Sequence, residues 1–232
     1  MLRIGASAFL FLSAFFCLSA QEWGNHPYVL RGEVFVDMEP IYAGHIDPEY
    51  PLDIPTAASR ALEEAAFLYS AMIYGWSFNY IAGERARRLD EVLEINPVSL
   101  IQFGDPGLRV TDTEIEDSRL IVWTDYHLTD AQQNRFQVWR SGMIRNAQGL
   151  GYGPSRLDEY PGWFDVKKLA LRDAARSALR AALQGSERNR PREVTGFISL
   201  ASFPRFFIDA GRWAAAARFR IQIVEIIPFP VY

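Results

Sequence analysis

Arg212-Trp-Ala-Ala-Ala-Ala-Arg-Phe-Arg-Ile-Gln-Ile-Val-Glu-Ile226 alternates over most of its length. Trp213, Ala215, Ala217, Phe219, Ile221 and Ile223 fall on one side of an extended chain, with Arg218, Arg220 and Gln222 opposite. Successive side chains of a strand point to opposite faces, so the pattern predicts a strand with one face covered and one wet. Strands of a doubly covered parallel sheet would read as continuous apolar runs. The stretch therefore predicts antiparallel sheet.

The same period recurs upstream. Tyr28, Leu30, Val34, Val36 and Met38 share a face of one strand, and Leu120, Val122, Tyr126 and Leu128 share a face of another at 118–128. Shorter extended segments are expected at 74–80, 92–95, 98–103, 108–115 and 194–201, with a turn at Gly104-Asp105-Pro106-Gly107. Residues 129–134 read as a polar turn and 135–140 as the return arm of a hairpin.

Two long helices interrupt the strands. Ile54 to Ile73, capped by Asp53, carries a stripe of Leu62, Ala65, Ala66, Tyr69, Met72 and Ile73, and places Arg60, Glu63 and Glu64 on the outer side. Asp165 to Gln184 is rich in Ala, Leu and Arg, capped by Asp165 and stopped at Gly185. A short helix is expected at 84–91. The fold class is α+β, a mainly antiparallel sheet with the two long helices packed on one face. Ala61-Leu62-Glu63-Glu64-Ala65-Ala66 echoes Ala170-Leu171-Arg172-Asp173-Ala174-Ala175, a match compatible with a diverged duplication of a helix–strand–strand unit. Gly and Pro gather at 142–162, which reads as a connection. The expected organisation is a leader at 1–20, an α+β unit at 21–141, that connection, and a unit at 163–232, either separate or one compact domain with 21–141.

The amino-terminal residues set the expected location. Arg3 precedes an apolar run from Ile4 to Phe16, and Leu18-Ser19-Ala20 supplies a small residue before Gln21. That is the layout of a cleaved secretory signal peptide, and the run is shorter than the ~20 apolar residues a spanning helix needs. The mature chain is thus expected to be exported to the periplasm or cell surface, without a transmembrane span. Cys17 raises lipid anchoring as an alternative, but Phe15 and Phe16 sit where a lipobox has small residues. Cys17 is the one cysteine, so the mature chain would hold no disulfide and no thiolate ligand or nucleophile. Its core must suffice, and a hydrophobic content of 49% makes that feasible.

Charge bears on partners. Lys and Arg number 24 against 28 Asp and Glu, a formal net charge of −4. A mildly acidic chain has no global attraction for polyanions, so nucleic acid is not an expected partner. Lys168, Arg172, Arg176 and Arg180 recur every four residues on the second long helix. This ridge is read as a solvated helix face, with peripheral contact to anionic lipid as the alternative.

Chemistry-bearing constellations are sparse. Tyr74, Trp76, Phe78 and Tyr80 share one face of a strand; they read as core under the first helix, or, if open, as a platform for stacking sugar rings. His45 with Asp47, and Asp125 with His127, are i, i+2 pairs that would each project to one side of an extended segment. Were the two pairs to meet, they would make a metal set able to activate water for hydrolysis. No Gly-x-Ser-x-Gly elbow occurs, and Gly149-Leu-Gly-Tyr-Gly153 lacks the Lys-Ser/Thr of a phosphate loop. No cofactor is expected. The leading expectation is a non-catalytic envelope protein that binds another envelope protein or a cell-wall component. The alternative is a metal-dependent envelope hydrolase using His45, Asp47, Asp125 and His127, so enzymatic activity is left open.

Overall fold

The computed structural model describes residues 29–39, 49–81, 83, 90–141, 143–154, 162–184 and 191–228. The expected leader with Cys17, together with His45, Asp47 and most of 84–91, lies outside them.

The described chain is mixed α/β, with two antiparallel sheets and three helices. The smaller sheet contains β1 (Val29–Asp37), β5 (Arg119–His127) and β4 (Leu108–Glu116), in the order β1-β5-β4. The larger has the order β3-β2-β7-β9-β6, from β2 (Trp76–Ile81), β3 (Val92–Pro97), β6 (Arg145–Tyr152), β7 (Pro191–Leu200) and β9 (Arg212–Pro228). A short β8 (Arg205–Asp209) also pairs with β9. The large sheet therefore unites strands from both the 21–141 and 163–232 ranges.

Helix α1 (Ile54–Ile73) starts where Asp53 accepts a hydrogen bond from Thr56 N at 2.9 Å. Thr56 thereby holds the Asp53 carboxyl below its ordinary value. The helix packs against β1 and β5 of the small sheet and touches β7 of the large one. A helix covered on several sides has little outer face, and this corrects the placing of two residues. Arg60 and Glu64, expected outside with Glu63, are buried; only Glu63 is exposed. Tyr69 anchors the helix: its hydroxyl donates to Thr124 O at 2.8 Å and its ring stacks on Tyr126 at 5.3 Å.

Residues 130–138 form a helix, α2 (Asp130–Val138), not the expected hairpin arm. Thr129 caps it, and Gln132 returns the bond to the Thr129 backbone, a Thr-x-x-Gln box that satisfies two otherwise orphaned donors. Gln132 also donates to Tyr126 Oη at 2.8 Å and to Tyr74 Oη at 3.0 Å, which docks α2 against the core.

The expected connection at 142–162 is corrected in its first part, because Arg145–Tyr152 is a ladder strand on β9. Its glycines are contact surfaces. A Cβ on Gly149 or Gly151 would collide with the backbone of Ala174 in α3 (Trp163–Gln184). That helix lies on β6 and β9, presenting fully buried Ala170, Ala174 and Ala178. It begins at Trp163, so Asp165 sits in the first turn rather than at the cap. Residues 98–103, expected as extended, form no strand.

Burial pushes the Tyr126 phenol up to about 12 and raises that of Tyr69 further. An acid whose folded value is raised contributes stability that is complete below the ordinary value of 10.0 and disappears as pH climbs through the folded value. Stability should therefore decline as pH rises from 10.0 toward about 12. Urea midpoints taken on both sides of that ordinary value check it, and Tyr69→Phe should flatten the decline. An unchanged slope in that variant would contradict the assignment.

Candidate anion-binding face

Register assigns the two faces of the large sheet. Gly149 and Gly151 point at α3, and directly paired residues share a face. Ala215, Ala217 and Phe219 therefore face α3, with Ile198, Leu200, Trp76, Phe78 and Tyr80 on the same side. The opposite face carries Arg218 across from Gln148, Arg220 across from Asn146 and Ser199, and, further along, Asn79. This is the wet side of the strand that alternation marked.

Helix α2 covers part of that wet side. Trp139 donates to Ile73 O at 3.0 Å, and a Cβ on Gly75 would meet both Trp139 and Ser199. Beside α2 lies an open groove of about 420 Å³ lined by Asn146, Ala147, Gln148, Ala201, Arg218, Phe219 and Arg220. Such a volume suits a small ligand or one unit of a larger one.

The groove is electrostatically one-sided. Arg220 lies 5.3 Å from the centre of the Phe136 ring, and Arg140 lies 5.6 Å from the same ring. Arg220 Nη2 donates to Ala201 O at 3.4 Å, and Arg218 Nη2 to Ser202 Oγ at 3.4 Å. Among the described residues none of the three arginines has a carboxylate within ion-pair distance. The strand carboxylates of this face, Glu94, Glu193, Asp209 and Glu225, belong to other register positions. Burial, then the like charges of Arg140 and Arg218, push the Arg220 guanidinium below its ordinary value. Among the described residues, Arg220 Nη1, Ser199 Oγ and Asn79 Oδ1 are buried on this face without hydrogen-bond partners. A buried guanidinium donor left unmatched costs free energy that an oxyanion would restore, because arginine offers a planar fork suited to carboxylate or phosphate.

The residues singled out from the sequence lie elsewhere. Tyr74 is the half-buried C-cap of α1, whereas Trp76, Phe78 and Tyr80 are buried on the α3 side of the sheet. Trp76 meets Phe67 of α1 at 6.0 Å, and Tyr80 Oη donates to Glu91 at 2.5 Å. Asp125 pairs with Arg31 at 3.4 Å, and His127 is exposed at the end of β5. No group of three or more His, Cys, Asp or Glu is placed to hold a metal ion among the described residues. The basic ridge of α3 is engaged within the protein: Lys168 with Asp165, Arg172 with Leu93 O, Arg176 with Asp173 and Arg180 with Glu91.

Arg218 and Arg220 stood in the sequence as the polar half of an alternating strand, which marks a wet face without distinguishing a site. Their partners Asn146 and Gln148 were hidden because the glycines of 145–152 resemble a loop. The signal that could have exposed them is the Asn-x-Gln alternation at 146–148.

A protein-family model whose description assigns no activity matches residues 25–229, and the chain belongs to that family. It is similar to an uncharacterized protein of Treponema pallidum (strain Nichols), 26% identical over 184 residues that cover 79% of this chain and 74% of that protein. No solved structure matches the chain. Among the described residues no helix is long and apolar enough to cross a membrane.

Proposed function

We propose that this chain is an exported envelope protein whose task is binding, and that it takes an anionic group in the groove beneath Arg218 and Arg220. The leader-like residues 1–20 support the location. One observation carries the binding reading: among the described residues a buried guanidinium nitrogen of Arg220 has no acceptor, and the arginines of its groove have no carboxylate within ion-pair distance.

The chemistry asked of the groove is recognition. Arg220 would supply the charge-assisted donor, Arg218 a second, and the amides of Asn146 and Gln148 would fix orientation. Titration calorimetry of the mature protein with inorganic phosphate and with acetate, at low salt, tests this. Hydrogen bonds to charged groups are worth about 1.5–3 kcal/mol, so Arg220→Ala should weaken binding by roughly 10-fold or more. Arg218→Ala should act in the same direction, and added salt should weaken both. Anion binding that is insensitive to Arg220→Ala, or absent from the wild type, would refute this assignment of the site.

A further inference from the structure

Arg140 follows the Trp139 cap of α2 and brings a third cation beside Arg220. The two guanidiniums share the buried Phe136 ring, at 5.6 Å and 5.3 Å from its centre. The like charges of Arg140 and Arg218 both act on Arg220, adding to burial in lowering its guanidinium. Arg140 and Arg218 are themselves exposed. Among the described residues these three charges meet no carboxylate within ion-pair distance. Further donors come from a second strand, where the exposed amides of Asn146 and Gln148 on β6 stand across from Arg220 and Arg218 on β9.

Such an excess of positive charge is poorly matched by a single negative one. A carboxylate or a phosphodiester carries one charge, whereas a phosphate monoester carries about two at neutral pH. The monoester also presents a tetrahedral set of terminal oxygens, all acceptors, to donors that arrive from two strands. A planar carboxylate has only the pair of oxygens that one arginine fork already fills. The groove, about 420 Å³, has room for a phosphate and a small organic group rather than a run of polymer. We infer that the groove selects a phosphate monoester in its doubly charged form, with Arg140 setting that preference, a reading that rests on the anion site at Arg218 and Arg220. Nucleic acid is the poorer match, because its internal phosphates are diesters and the chain carries a net charge of −4.

Calorimetry on the mature protein with methyl phosphate, dimethyl phosphate, acetate and sulfate provides the test. At neutral pH the monoester should bind at least about 10-fold more tightly than the diester or acetate, since its second charge adds a comparable attraction. Its affinity should rise roughly 10-fold from about pH 5 to about pH 7, across a second ionisation near about pH 6. Sulfate, doubly charged throughout, should bind evenly over that range, which separates titration of the ligand from titration of the protein. Arg140→Ala, at an exposed position, should lower the monoester-to-diester ratio several-fold, and Arg140→Lys, which keeps the charge, should preserve it. Glycerol phosphate and vesicles containing phosphatidic acid present the same group free and on a lipid; preferential binding of either supports the monoester and names its source. Equal affinity for monoester and diester, or a ratio unmoved by Arg140→Ala, would overturn the selection. The Arg218/Arg220 site would still stand if Arg220→Ala weakened both ligands. Its own failure reads out separately, as binding of both that is indifferent to Arg220→Ala.

Discussion

Lys167→Met should destabilise the protein by about 3–5 kcal/mol, the range seen when one member of a buried ion pair is removed. Lys167 Nζ lies 2.6 Å from Glu64 Oε2, with both side chains almost wholly enclosed, and donates to Phe35 O at 3.1 Å. Its ammonium is ringed by Phe35 at 4.7 Å, Trp213 at 5.2 Å and Phe206 at 5.3 Å. Here α1, α3, β1, β8 and β9 meet at one charge. Deleting it strands the Glu64 carboxylate in an apolar site and opens a void among aromatic rings.

Burial drives the Glu64 carboxyl above its ordinary value of 4.5, and Lys167 opposes that rise. Without the lysine the carboxyl stays protonated over a wider range. A raised carboxyl contributes stability that is complete below its unfolded value and lost as pH rises through the folded one. Lys167→Met should consequently cost less in mild acid than at neutral pH, as urea midpoints would register. Glu64→Leu/Lys167→Met should recover most of the loss, since apolar replacement of a buried pair is often neutral. A single variant within about 1 kcal/mol of wild type would show that the pair is incidental.

Gly151→Val should be the other severe substitution, costing at least about 3 kcal/mol, the upper end of ordinary overpacking. A Cβ at this position would overlap Ala174 N and the Ala170 carbonyl oxygen, and one at Gly149 would overlap Ala174 O. These obstacles are helix backbone, so no rotamer change relieves them. Helix α3 would have to lift from β6 and β9, uncovering the row at Ala170, Ala174 and Ala178. Gly149→Ala should act alike, whereas Gln148→Ala, on the opposite face, should stay within about 0.5 kcal/mol. Equal urea midpoints for Gly151→Val and Gln148→Ala would contradict the close approach of strand and helix.

Local signals carried much of the architecture. Period-2 alternation in β1, β5 and β9 identified antiparallel strands and their covered sides, since each strand has one dry and one wet face. Asp53 and an apolar stripe placed α1, and Leu/Ala density placed α3. The same signals failed where local chemistry serves a distant contact. Thr129 and Gln132 announce a helix start, but polar residues without an apolar stripe resemble a turn. Gly149 and Gly151 resemble a flexible link, because nothing nearby in sequence reveals that a helix backbone will rest on them. Glu64 looks solvated on a helical wheel until Lys167, more than a hundred residues later, arrives opposite it.

By itself, then, the sequence determined that β1, β5 and β9 are extended and which side of each is apolar, that α1 and α3 are helical, and that Arg218 and Arg220 share the polar side of one strand. Tertiary structure alone decided that Asn146 and Gln148 stand across from those arginines, that α2 leaves a groove beside them, and that among the described residues no carboxylate lies within ion-pair distance of them. Alternation is a property of neighbours along the chain. Register and charge pairing are properties of strands brought together from far apart, and only folding brings them together.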